Sequence, residues 1–366
     1  MCRIGSIKSL DPIHPAKALY LMLSQQKGHD NSGFAIVMKD LYGIFKPYKN
    51  KPMLSYSCTY KGKKIISDFM LKKGFKKVFS WEPENKTFAG MDFEKMDYYG
   101  FDAFDYPDNF KSDELDEQKE NLLLDIRLEI RKLLETTEDG FAFSFWPDTI
   151  TLKEIGNPNH IGKYFNLWEE NKDILAKNLV IQYRQNTNYE IVRYAAHPFF
   201  IQGYTLCANG ENTFYVKNKE YQRNLHRGYI GFESDSQCFL YTLHYVCQEL
   251  KWPLPYYKQV ITPLPFSEMK ENKQVLYKIR ETLAHLEING PNTIIGLLPN
   301  NIMFTTCDSK KLRPVVVGTN KRMAAITSEV NGLNQILPER EDDVYPNERE
   351  TVVITNDLKM ERWKQK

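Results

Sequence analysis

At 366 residues, with 42% hydrophobic and 13% aromatic side chains, the chain is long enough to bury a substantial core as one large domain or two. Its 49 basic and 47 acidic groups leave a formal charge of only +2, so no global field recruits nucleic acid or an anionic membrane. No run approaches the roughly 18 uninterrupted apolar residues of a membrane helix, and the N-terminus lacks the apolar core of a secretory leader, which together point to a cytoplasmic protein.

The chain opens on Met1-Cys2-Arg3-Ile4-Gly5-Ser6-Ile7, an apolar run that reads as a strand. Removal of the initiator methionine, usual before a small residue, would place a thiol and a free α-amine on Cys2, a nucleophile carrying its own base: the reference values are about 8 for the amine and about 8.5 for the thiol. A cysteine at position 2 is also a common and inert consequence of N-terminal processing, so the assignment needs support elsewhere. His14-Pro15 opens a helix to about Gln26, with Pro at its first position. Gly33 to Met38 and Tyr42 to Pro47 are expected to form a hairpin.

From about 51 to 170 the chain is expected to hold a folded insertion. Acidic side chains far outnumber basic ones between Glu82 and Glu120, yet Phe, Tyr and Met are interleaved with them, which disorder would lack. Ser112 is expected to cap a long helix in which Leu115, Leu122, Leu123, Ile126, Ile130, Leu133 and Leu134 form one apolar stripe. Beyond it, Leu179 to Tyr183 and Tyr204 to Ala208 read as strands, and Ser236 to Leu250 and Ser267 to Leu286 as helices. Thr293 to Leu298, Ile302 to Thr306, Pro314 to Gly318, Met323 to Thr327 and Thr351 to Thr355 read as further strands. With no internal repeat or linker, a single domain over 1–366 is the simplest parse.

The six cysteines are too sparse and irregular for a disulfide scaffold, and none form a Cys-x-x-Cys pair, so neither a zinc ribbon nor an iron–sulfur cluster is expected in this chain. The nearest approach to a metal cluster, Cys238, His244 and Cys247, lies on a stretch whose Phe239, Leu240, Leu243 and Val246 recur at helical spacing, and reads as helix packing. Glycine-rich phosphate loops and Rossmann fingerprints are absent, so no cofactor is expected here.

Five ordered elements resemble the class II, N-terminal-cysteine glutamine amidotransferases. The opening resembles that family's Met-Cys-Gly-Ile, and Lys27-Gly28-His29-Asp30-Asn31-Ser32-Gly33 its Arg-Gly-x-Asp-Ser-Ala-Gly loop. Arg184, Thr187 and His197-Pro198-Phe199 repeat the spacing of its Arg-x-Ala-Thr element and the His-Pro-Phe of its glutamate synthase branch. Asn209-Gly210 and Ser234-Asp235-Ser236-Gln237 fall at its Asn-Gly and Ser-Asp-Thr-Glu. The likeness is greatest to the separately encoded amidotransferase subunit of glutamate synthase, through Phe143-Ser144-Phe145-Trp146-Pro147-Asp148, Ile150 to Glu154, Asp308 to Pro314 and Thr327-Ser328-Glu329. It extends from Cys2 to about Val353. Arg3, Lys27, Asn31 and Gln182 depart from the family pattern.

The resemblance implies an α+β fold, the four-layer αββα N-terminal-nucleophile sandwich of two stacked antiparallel sheets. It implies hydrolysis of glutamine through a thioester on Cys2, with the Asn209 side-chain amide and the Gly210 N–H stabilising the oxyanion. Arg184, Thr187 and Asp235 would bind the substrate: Arg184 its carboxylate by a two-pronged guanidinium contact, Asp235 its ammonium. The residues alone leave other readings open, since Asn-Gly is also a hairpin-turn signature and Ser234-x-x-Gln237 a helix capping box. His197 is assigned no catalytic duty. A partner subunit carrying FMN and an iron–sulfur cluster would use the ammonia in glutamate synthesis. The alternatives are another acceptor, such as one leading to N-methylglutamate, or a non-catalytic glutamine-binding regulatory subunit.

Overall fold

The computed structural model describes residues 2–26, 28–84, 87–110, 114–169, 171–186, 191–225, 234–269 and 274–365. In chain order the elements are β1 (Arg3–Ile13), α1 (Ala16–Ser24), β2 (Phe34–Gly43), β3 (Pro52–Cys58), α2 (Tyr60–Lys72), β4 (Lys76–Trp81), β5 (Tyr98–Asp105), α3 (Glu117–Thr136), β6 (Gly140–Pro147), β7 (Thr149–Glu154), α4 (Pro158–Tyr164), β8 (Ile174–Tyr183), β9 (Phe199–Ile201), β10 (Tyr204–Gly210), α5 (Tyr215–Leu225), α6 (Gln237–His244), α7 (Leu254–Ile261), α8 (Gln274–Thr282), β11 (Asn292–Leu297), β12 (Met303–Cys307), β13 (Val316–Thr319), β14 (Met323–Thr327), α9 (Val330–Ile336), β15 (Asp343–Val344), β16 (Glu350–Ile354) and β17 (Met360–Lys364).

Period-two alternation along these strands builds the layers. One antiparallel sheet runs β15-β13-β14-β1-β8-β2-β7 and a second runs β17-β16-β12-β11-β10-β9. Ile4, Val180, Val317 and Ile326 of the first pack against Cys207, Ile295, Leu297, Met303 and Ile354 of the second, so the two sheets are stacked face to face. Alternate residues of the first sheet, among them Ile7, Ile36 and Ile181, face outward onto Leu21 and Met22 of α1, Ile161 of α4 and Leu333 of α9. On the opposite side Leu206, Ile294 and Phe304 bury Phe239 of α6, Tyr257 of α7 and Ile279 of α8. Helix, sheet, sheet, helix is the expected four-layer α+β architecture.

Residues 52–147, inside the stretch expected to be inserted, build a third sheet in the order β4-β5-β3-β6. Leu123, Ile126, Ile130 and Leu134 of α3 close its core with Ile66 and Met70 of α2, each such burial stabilising by about 1.5–3 kcal/mol. The helix begins later than expected: Asp116 is its N-cap, accepting from the Lys119 N–H, and the expected cap Ser112 lies outside the described residues. Leu115 therefore precedes the helix and is exposed.

Two other expectations are corrected. The hairpin at 33–47 is instead the single strand β2. Asp40 takes a left-handed conformation (φ 59°), and Asp148 accepts the N–H groups of Asp40 and Leu41, so the strand continues along β8 in unbroken register rather than folding back. The helix expected over 236–250 is α6 followed by a π-type turn at Tyr245–Glu249.

Candidate functional site

β1 is an interior strand, paired with β14 on one side and β8 on the other. Alternation sends Cys2 and Ile4 into the inter-sheet layer and Arg3 and Gly5 toward the helices. Arg3 accordingly reaches the other way, donating to the Met22 carbonyl in the last turn of α1 and lying 5.3 Å over the Tyr183 ring. This departure from the family pattern leaves the thiol side of the strand unobstructed.

Cys2 is half-buried, and its Sγ lies 3.4 Å from both the N–H and the carbonyl of Gln185, just past the end of β8. Burial pushes the thiol up from its ordinary range; the Gln185 hydrogen bond and the Arg184 guanidinium pull it back, and Asp30 adds to the rise. A thiol held up in this way needs a base to become a nucleophile.

Arg184 is buried, with its Nη2 donating to Asn186 Oδ1 at 3.1 Å and its backbone N–H to the Gly33 carbonyl at 2.7 Å. Its Nη1 is buried with no hydrogen-bond partner among the described residues. Burial lowers its proton affinity while Cys2, Asp30 and Asp235 raise it, which places all four groups in one electrostatic neighbourhood. The loop before β2 supports this arrangement: Asp30 accepts from the N–H groups of Ser32 and Asn186, and Asn31, with φ 60°, accepts from the Tyr183 hydroxyl. Lys27 and Thr187 lie outside the described residues.

Asn209 and Gly210 do not form a hairpin turn. Both lie in β10, paired with Thr293 and Asn292 of β11. The Asn209 side chain shares the inward-facing row with Cys207, is almost fully buried, and its Nδ2 has no partner among the described residues. Gly210 has φ 154°, and a Cβ there would lie 1.9 Å from the Pro291 carbonyl oxygen, so only glycine fits.

The capping box that Ser234-x-x-Gln237 left open does not form. The N-cap of α6 is Ser236, without a side-chain capping bond, and Ser234 Oγ accepts from Ser236 N–H. The Asp235 carboxylate instead accepts from Asn212 N–H at 2.8 Å and from the hydroxyls of Ser234 and Ser236 at 3.3 Å. Burial raises its proton affinity and these donors oppose the rise.

Four supporting residues escaped the sequence reading of the site. Asp30 was visible only as part of a loop motif. Gln182 is fully buried and accepts the His197 N–H at 2.5 Å; Lys153 donates to the Ala196 and Tyr194 carbonyls; Glu154 pairs with Arg193 at 2.6 Å. All three fix the segment between β8 and β9 through contacts remote in sequence, for which one sequence carries no local signal. Among the described residues no three His, Cys, Asp or Glu side chains are grouped as metal ligands.

No protein-family profile matches the sequence. An uncharacterized protein of Archaeoglobus fulgidus is 27% identical over 223 residues, covering 59% of this chain and 57% of that one. Two solved structures are similar in shape. One is the glutamine phosphoribosylpyrophosphate amidotransferase of B. subtilis complexed with ADP and GMP (TM-score 0.46, 11% identity); the other is described as the allosteric regulatory enzyme of purine biosynthesis (TM-score 0.48, 12% identity). Each match covers 99% of this chain and 49% of the other, so the chain spans about half the length of either protein.

Proposed function

We propose that this chain is a glutaminase of the class II amidotransferase type, which releases ammonia from L-glutamine for use by a separate subunit. The observation that carries the reading is the convergence of a half-buried thiol, a buried arginine with one unpartnered nitrogen and a buried carboxylate in one electrostatic neighbourhood at one end of the inter-sheet layer. An α-amino acid presents a carboxylate and an ammonium, and Arg184 and Asp235 offer the two opposite charges. The inward-facing Asn209 amide supplies a further N–H donor on β10 of the facing sheet.

In the proposed reaction the Cys2 thiol gives its proton to its own α-amine as Sγ bonds to the side-chain carboxamide carbon. The Asn209 amide and the Gly210 N–H stabilise the oxyanion. The C–N bond then breaks, the stored proton leaves with the nitrogen as ammonia, and a thioester remains. Water hydrolyses the thioester, giving glutamate and regenerating the thiol. Thr187 is proposed to line the substrate pocket. The ammonia acceptor is proposed to be a glutamate synthase subunit that carries FMN and an iron–sulfur cluster.

The test is chemical labelling together with intact mass. The mature chain is expected to start at Cys2, and an electrophilic glutamine analogue is expected to add to Cys2 alone among the cysteines. Labelling spread over Cys58, Cys207 and Cys307, or full activity with Met1 retained, would reject the mechanism. Recovery of the native complex followed by a flavin absorbance scan tests the proposed partner.

A further inference from the structure

We propose that His197 is a positioning residue that links the oxyanion edge of β10 to the ammonium-binding carboxylate, a role that rests on the glutaminase reading above. The reason begins with the backbone. β9 pairs with β10 only as far as Phe199 opposite Leu206, and the N–H of His197, the next residue whose N–H would face β10, donates to Gln182 instead. β10 nevertheless runs four residues further, to Gly210. Its next hydrogen-bonding position on that edge is the Ala208 N–H, and His197 Nδ1 accepts it at 3.0 Å. The imidazole thus takes the place of the missing strand. By the alternation of an antiparallel ladder, the Gly210 N–H points to the same edge two residues on, just beyond the ring.

The bond from Ala208 fixes the tautomer. Nδ1 must be the acceptor, so the ring proton sits on Nε2, which lies 3.3 Å from Ser234 Oγ. Ser234 then accepts from His197 and from Ser236 N–H and donates its own hydrogen to Asp235 Oδ1. Every donor and acceptor along this path is used in one direction, from Ala208 through the ring and hydroxyl to the carboxylate. The backbone N–H of His197 is held in turn by Gln182 of β8, which locks the ring to the first sheet. Burial and the nearby Arg184 and Lys153 cations keep the imidazole neutral, as the path requires.

The ring has two arms with different consequences. The arm at Nδ1 holds the strand that carries Asn209 and Gly210, whose donors act on charge present only in the transition state. The Nε2 arm holds Asp235, which meets the ammonium in bound substrate and transition state alike. Two substitutions separate them: an Asn side-chain oxygen falls near the Nδ1 position, and a Gln side-chain nitrogen near Nε2. In the full-length, processed chain, alone and in its native complex, His197→Asn is expected to raise KM for glutamine about tenfold with kcat within about twofold. His197→Gln is expected to lower kcat by about tenfold or more with KM nearly unchanged. Thermal melting confirms that both variants fold, and if either fails to do so, the other alone still tests its own arm. Folded variants that change neither constant, or that change both constants in the same way, overturn the role and leave the glutaminase reading standing. A wild-type chain that binds glutamine without releasing ammonia in either form overturns the glutaminase reading, and this role with it.

Discussion

The layer between the two stacked sheets has polar side chains at both ends, and the ends differ. At one end Lys8 donates to Asn178 Oδ1 and the Asn301 carbonyl, and Lys39 donates to the carbonyls of Leu298 and Pro299, so two buried lysine amino groups clamp the loop between β11 and β12. At the other end, beside Cys2, buried nitrogens of Arg184, Asn209 and Gln182 have no partner among the described residues. Burial is similar at both ends and the strands are the same. A buried donor left unpaired costs about 1–3 kcal/mol; Asn301 Oδ1 and Gln202 Nε2 near the lysine end are also without a partner among the described residues, but only the cysteine end leaves a nitrogen of a buried guanidinium open, which supports the reading of that end as a site that a ligand completes.

The strongest way to break this contrast is at the nucleophile. Cys2→Ala is expected to abolish glutamine hydrolysis, a loss on the order of 10⁴-fold or more, with an unchanged melting curve; Cys2→Ser is expected to be nearly as damaging because a hydroxyl is a much poorer nucleophile at neutral pH. Next comes Asp235→Asn, expected to weaken glutamine use by about 2–5 kcal/mol, chiefly as a raised KM in steady-state kinetics. Glutamine analogues without the α-amine should then lose little further on the mutant. Wild-type kinetics in folded Asp235→Asn would reduce Asp235 to a loop fastener.

Asn209→Ala is expected to cost about 10²-fold in kcat or more while leaving chemical stability almost unaltered, since its amide nitrogen has no partner to lose among the described residues. A clear fall in stability would show that this end, too, is structural closure. The smallest effect belongs to the lysine end. Burial lowers Lys39 to about 7, whereas the unfolded chain keeps it near 10.4. Between those values the unfolded state binds more protons, so stability rises with pH, by up to about 1.4 kcal/mol per unit from this residue, and is lost as pH falls through about 7. Urea unfolding at pH 7 and pH 9 should show the rise in the wild type and a shallower one in Lys39→Met.

Much of this was legible where chemistry and chain order coincide. The strands at Cys2, at Leu179 to Tyr183 and at Tyr204 to Ala208 follow from apolar patterns, and the observed strands extend those runs by a few residues; the layered α+β class followed from the family resemblance. What could not be read were decisions made by partners far along the chain. β2 continues past Asp40 because Asp148 takes up its N–H groups, α3 starts at Asp116 rather than Ser112, and Gln182 meets His197 only after β8 and β9 have been brought together. Arg3 illustrates the same limit. It departs from the family pattern, but only the pairing of β1 shows which face it occupies.

That pairing has a consequence for any redesign of the N-terminus. β1 is held in register on both edges, Gly5 opposite Thr327 of β14 and opposite Ile181 of β8, and a side chain at Gly5 would collide with Leu21. The strand therefore imposes a parity rule. Moving the cysteine by two residues would keep it on the inner face, although displaced along the layer; moving it by one would deliver the thiol to the helices and the guanidinium to the inner face. The proposed nucleophile is thus addressed by odd and even counting from the nearest locked pair, and insertions or deletions between Cys2 and Gly5 should be tolerated, if at all, only in pairs.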